Sequence, residues 1–227
     1  MTTDRADLLA DLAREMSSEA DVEAVLRRVV QAAAHEIEGA QYAGVTLLRR
    51  RSIVTSVATD ALLEEFDRHQ YATEQGPCLS AVTEHIPVVR VDDLSSDWRW
   101  PAFRAAVESL PVGAILSFQL YANREESAAL NVYASKAHAF SDESVHLGSL
   151  LAAHAAVAAA STAKMANLRI ALASRDVIGQ AKGILMERYK ITSEQSFDLL
   201  IAASQRTHRK LNDIAVQLST TGELAVD

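Results

Sequence analysis

The chain has 227 residues, 49% hydrophobic and 23% charged, with 8 Gly and 4 Pro, which is enough for one large or two ordinary domains and excludes a wholly disordered or collagen-like chain. Its formal charge of −8 divides unevenly: residues 1–160 hold 13 Lys and Arg against 23 Asp and Glu, whereas residues 161–227 hold 9 against 7. The longest apolar run, Leu150 to Ala160, contains His154 and is too short to span a bilayer. The acidic start MTTDRADLLADLAREM lacks the basic and apolar regions of a signal peptide, so a cytoplasmic protein without a membrane partner is expected. A single cysteine, Cys78, leaves no intrachain disulfide and no thiolate zinc framework.

Leu8, Leu9, Leu12 and Met16, then Val22, Val25, Leu26, Val29 and Val30, recur at helical spacing and predict helices over the first forty residues, ended by Gly39. The period then changes. Residues 42–48 and 53–58 read as strands around a charged turn from Arg49 to Ser52, residues 60–71 as a helix, and Gly76-Pro77 as the turn into another. Residues 87–94 give a short strand, and 92–112 an irregular segment with one short helix. A second hairpin pairs 112–122 with 127–135 around the polar tip Asn123 to Glu126. Ser141 is placed to cap a helix whose first turn carries Asp142 and Glu143.

From there no strand pattern returns. Leu147, Leu151, His154, Ala158, Ser161, Met165, Leu168 and Leu172 alternate at four- and three-residue steps, the seam of a coiled coil, though a weak one. Over 142–160 this seam serves either a dimer or the domain's own sheet; over 161–173 dimer contact is expected. Three helical segments follow: one with Val177, Ile178, Ala181, Ile184 and Leu185 on a face, one opened by Thr192 and Gln195 as a capping box, and one with Leu211, Ile214, Ala215 and Leu218. Each has one apolar face and needs the others to form a core. The fold class is α+β: an antiparallel sheet flanked by helices over residues 1–160 (core about 20–160), a connecting helix over 161–173, and an all-α three-helix bundle over 174–227.

Residues 174–218 closely resemble the ANTAR domain of bacterial regulators. The resemblance is carried by the run Arg175 to Met186, RDVIGQAKGILM, by the spacing to Ser196-Phe197 and Leu200, and by the closing Lys210-Leu211-Asn212-Asp213-Ile214-Ala215. It implies a dimerising module that binds and stabilises a two-hairpin RNA in a messenger leader, so that a transcription terminator does not form. Residues of about 20–160 resemble a GAF domain, through the order of elements, the Gln75-Gly76-Pro77-Cys78-Leu79 segment and the closing hairpin followed by Ala139-Phe140-Ser141-Asp142-Glu143. That resemblance implies a sensor without naming its ligand.

The candidate RNA-binding residues are Arg175, Gln180, Lys182 and Gly183 on the first ANTAR helix, and Arg206, Arg209 and Lys210 near the turn between the second and third. Gly183 either admits a nucleic-acid backbone or partner helix or packs within its own bundle, and Arg175 either meets RNA or pairs with Asp176 or a partner chain. Phe197 reads as core and Tyr189 as a cover for the bundle, so guanidinium stacking is expected ahead of an aromatic platform. In the sensor, Cys78, Trp98, Phe103 and Phe118 either line a small-molecule pocket or fill a core; a buried, inert Cys78 is the ordinary reading. The histidines form no metal-binding pair, and no nucleotide loop or nucleophile elbow occurs. No cofactor is required and no catalysis is expected. The competing readings are a DNA-binding regulator, suggested by the turn THRKLN between the last two helices, and a GAF-fold redox enzyme.

Overall fold

In a computed structural model, which describes residues 2–49, 52–122 and 126–224, the chain divides into two compact units, Met1–Ala163 and Lys164–Asp227. Of the expected hairpin turns, Arg49 to Ser52 and Asn123 to Glu126, residues 50–51 and 123–125 lie outside the described residues, and Arg49, Ser52 and Glu126 belong to strands. The first unit comprises α1 (Thr2–Ser18), α2 (Val22–Glu36), β1 (Tyr42–Arg49), β2 (Ser52–Ala58), α3 (Leu62–Thr73), α4 (Pro77–Thr83), β3 (Val88–Val91), α5 (Pro101–Ala106), β4 (Ala114–Ala122), β5 (Glu126–Ala134) and the start of α6 (Asp142–Tyr189). Its five strands form one sheet in the order β2-β1-β5-β4-β3, and each neighbouring pair is antiparallel.

Because side chains alternate across a strand, the sheet feeds two separate cores. Val45 and Leu47 of β1, Leu116 and Phe118 of β4, and Leu130 and Val132 of β5 bury against Val25, Leu26 and Val29 of α2 and Leu147, Leu151 and Ala155 of α6. Ile115, Tyr133, Val89 and Val91 face the other way, onto Leu63 and Phe66 of α3 and Phe103 of α5. There Phe66 meets Phe103 and Tyr133 edge-on, with ring centroids 5.0 and 5.2 Å apart.

The start of α6 settles how the first half of the expected seam is used. Ser141 Oγ accepts from the Ser144 amide and Ser144 Oγ from the Ser141 amide, and Arg90 of β3 donates to Asp142 and to the Phe140 carbonyl. Leu147, Leu151 and Ala158 are buried in the sheet's own core rather than offered to a partner. Gly148 is the point of closest approach: a Cβ there would lie 2.2 Å from Cζ of Phe118, so the phenyl ring occupies the space a side chain would need. By length and composition α6 is apolar enough to cross a membrane, although close to half of the qualifying window is buried within the protein.

In the second unit the expected first segment of the bundle is the end of α6 itself, which runs unbroken for 48 residues through Gly179 and Gly183. With α7 (Ser193–Thr207) and α8 (Leu211–Thr221) it encloses Ala181, Leu185, Leu200, Ala203, Ile214, Ala215 and Leu218. α7 begins with the expected capping box: the Gln195 amide donates to Thr192 Oγ1 at 3.2 Å, and the Thr192 amide to Gln195 Oε1 at 2.9 Å.

Candidate nucleic-acid interface and the sensor face

Within the second unit, α6 turns Ala181 and Leu185 inward, and the opposite side of the helix carries Arg175, Gly179, Gly183 and Met186 in solvent. A Cβ added at Gly179 or Gly183 would meet nothing within 4 Å, so neither glycine is there to admit another element of its own bundle. Gln180 and Gly183 line an open groove of about 680 Å³ with Ile184, Glu187, Arg188 and Ser219. Lys182 stands on the other flank, its Nζ 5.7 Å from the ring centroid of Phe197. The candidate residues of this helix therefore occupy two flanks of one exposed face.

Arg206 lies in the last turn of α7, and Arg209 and Lys210 in the turn that follows, where His208 takes the left-handed conformation that ends the helix. All three cations are exposed. Arg209 Nη1 donates to Gln217 Oε1 at 2.6 Å and its carbonyl accepts from Ser204 Oγ, so this guanidinium is oriented in advance. Lys190 pairs with Glu187. Among the described residues, Arg175, Lys182, Arg188, Arg206, Arg209 and Lys210 hold no carboxylate partner. The expected alternative of an Arg175–Asp176 pair is not formed.

Two aromatic expectations are corrected. Phe197 is not core: the buried stripe of α7 is Ser196, Leu200 and Ala203, and Phe197, one residue off it, is 36% exposed. Tyr189 does not cover the bundle and is 54% exposed. The sequence carried the signal for the first, since a residue 100° off a complete i, i+4, i+7 stripe stands at its edge. Arg188 in the groove was also missed, its position being indistinguishable by sequence from a solvated face.

The four sensor candidates are not brought together. Trp98 is 84% exposed; Phe103 of α5 is buried on the α3/α5 side of the sheet; Phe118 of β4 is buried on the α2/α6 side. Cys78 is packed with Val82 and Ala129, and burial, with the nearby Asp67 charge acting the same way, pushes its thiol up to about 12. What does assemble on the α3/α4 side is a polar network. Thr46 and Thr55 hydroxyls donate to Asp67 Oδ2, both at 2.7 Å, and Gln70 Nε2 to Asp67 Oδ1 at 3.2 Å. Asn131 Nδ2 donates to Thr46, and the Cys78 amide to Gln70 Oε1. Burial raises the Asp67 carboxyl above the ordinary range against these donors. Asn131 Oδ1 and Ser117 Oγ, cross-strand neighbours in the same layer, are buried without a partner among the described residues. Apart from Cys78, which joins through its amide, no residue of this network was singled out by the sequence, because Thr, Asn and Gln inside strands and helices announce no chemistry.

A family model described as a GAF domain matches residues 19–160, and one described as an ANTAR domain matches residues 166–218. No curated protein matches the chain. Among solved structures, the chain is similar to a free methionine-R-sulfoxide reductase from Neisseria meningitidis in complex with its substrate (TM-score 0.55, 15% identity, 69% of this chain and 89% of that one). It is similar also to the GAF domain of an Acinetobacter phosphoenolpyruvate-protein phosphotransferase (0.54, 16%, 72% and 97%) and to an N-acylhomoserine lactone dependent LuxR family transcription factor from Burkholderia cenocepacia (0.52, 19%, 66% and 92%). At these identities the likeness is one of fold. With the sheet and helices of the first unit matched over 142 consecutive positions and the helical unit over the segment that follows, the chain belongs to the GAF domain family and continues into an ANTAR domain.

Proposed function

We propose that the protein is a cytoplasmic, signal-responsive regulator whose ANTAR domain binds paired RNA hairpins and so prevents terminator formation, under control of the GAF domain. The observation that supports it most is the ANTAR match over residues 166–218 on a unit whose cations, Arg175, Lys182, Arg188, Arg206, Arg209 and Lys210, lie exposed or half-buried and unclaimed by carboxylates among the described residues. Unclaimed cations are the groups that neutralise phosphates. The exposed Met165, Leu168 and Leu172 on α6 support a homodimer through this stretch, residues 161–173 acting as the connecting helix. No catalysis is part of this reading: the one thiol is sealed and held protonated. A small-molecule signal acts on the GAF domain by favouring one arrangement of α6 over another.

The test is fluorescence anisotropy of a labelled two-hairpin RNA with the full chain, at several salt concentrations and against duplex DNA as competitor. RNA binding that falls log-linearly with salt, resists duplex DNA and drops in Lys182→Ala is the expected result. Displacement by duplex DNA would make the protein a DNA-binding regulator instead.

A further inference from the structure

We infer that the edge where α7 meets α6 is a stacking site for unpaired RNA bases, formed by Phe197, Met186 and Tyr189 with Lys182 at its margin; this rests on the RNA-binding reading above. The one aromatic ring on α7 keeps 36% of its surface in solvent although a core stripe runs beside it. Lys182 Nζ lies 5.7 Å from that ring's centroid, within the range of cation–π attraction, and no carboxylate competes for it among the described residues. Lys182, Met186 and Tyr189 follow at i, i+4, i+7, so they form one strip along α6, with Met186 37% and Tyr189 54% exposed.

A strip of this kind matches a nucleotide in both of its parts. The face of a base covers a ring or a thioether, and the phosphate that follows reaches the ammonium. The ammonium at the margin argues against an apolar helix as the occupant, since covering it would desolvate a charge without a partner. Base faces are available only where nucleotides are unstacked, so the strip selects loops or single strands over continuous duplex.

The experiment uses the full chain with a hairpin RNA whose adenine-rich loop carries 2-aminopurine, and with a blunt duplex of its stem carrying 2-aminopurine inside. Binding is followed by anisotropy and stacking by 2-aminopurine quenching. Expected are preference for the hairpin, quenching of the loop probe only, and, for Phe197→Leu, loss of the quench with affinity reduced roughly 5- to 100-fold. Phe197→Tyr should restore both, and circular dichroism of each variant should match the parent. If Phe197→Leu leaves the loop quench unchanged, or the parent binds stem duplex as tightly as hairpin, the stacking site is overturned while RNA binding stands. If Phe197→Leu instead halves the sedimenting mass and spares the quench, the strip belongs to a second copy of the chain and the inference is likewise overturned. Binding of neither RNA removes the RNA-binding reading itself and the inference with it.

Discussion

Gly148 and Phe118 show how much of this fold turns on single atoms. The ring of Phe118 fills the place of the missing side chain, so Gly148→Ala forces the helix off the sheet, and its expected cost is about 1–3 kcal/mol in urea unfolding. Phe118→Leu in the same chain should recover part of that loss, a coupling that a double-mutant cycle measures directly. Asp67 gives a second test, with a pH signature. Burial raises its folded pKa above the unfolded one, so the folded state binds the proton more tightly. That stabilisation is complete below the ordinary Asp value of about 3.9 and is lost as pH rises through the raised folded value. Asp67→Asn lacks this titration, so the stability of the parent relative to the variant should fall as pH rises from about 4 and then level off. A difference flat in pH would show that the carboxyl ionises as if exposed. At this scale the sequence was least legible. Phe103 and Phe118 look alike in a string of letters, yet they bury on opposite faces of the sheet.

The elements were far easier to read than their partners. Strand alternation, Pro77 at a helix start, the Ser141 cap and the Thr192–Gln195 box are local signals, and local signals survive folding. The seam along α6 was ambiguous because alanine and serine are small enough for either a sheet or a second helix, and only packing shows that Leu147 and Leu151 belong to the sheet. The same limitation applied to Gly183, whose neighbours cannot be read from spacing. With nothing within 4 Å of their added Cβ atoms, Gly179→Ala and Gly183→Ala should each stabilise the helix by up to about 1 kcal/mol. The proposed RNA-binding function brings a nucleic-acid backbone onto this cleared surface, so RNA affinity should fall in the same variants. Thermal melts and anisotropy on one preparation separate the two effects, and unchanged affinity would remove the glycines from the interface.

At the scale of the whole molecule, two units with cores of their own share one helix. The first unit is acidic and the second mildly basic, which is the division expected of a chain in which only one half meets an anionic partner. Between the two cores, every residue of α6 from Lys164 to Ala173 is exposed, so this stretch keeps its shape by backbone hydrogen bonds alone. Such a helix opens locally far more readily than one pinned by buried side chains. Lys164 and Arg169 lie inside it, and where the chains are too dilute to pair along this stretch trypsin should cut there first, releasing two fragments that each retain a core. Amide exchange should be fastest in the same ten residues relative to the rest of α6. Anything that lies along Met165, Leu168 and Leu172 would slow both, which makes the cleavage rate at Lys164 a direct reading of whether that surface is occupied.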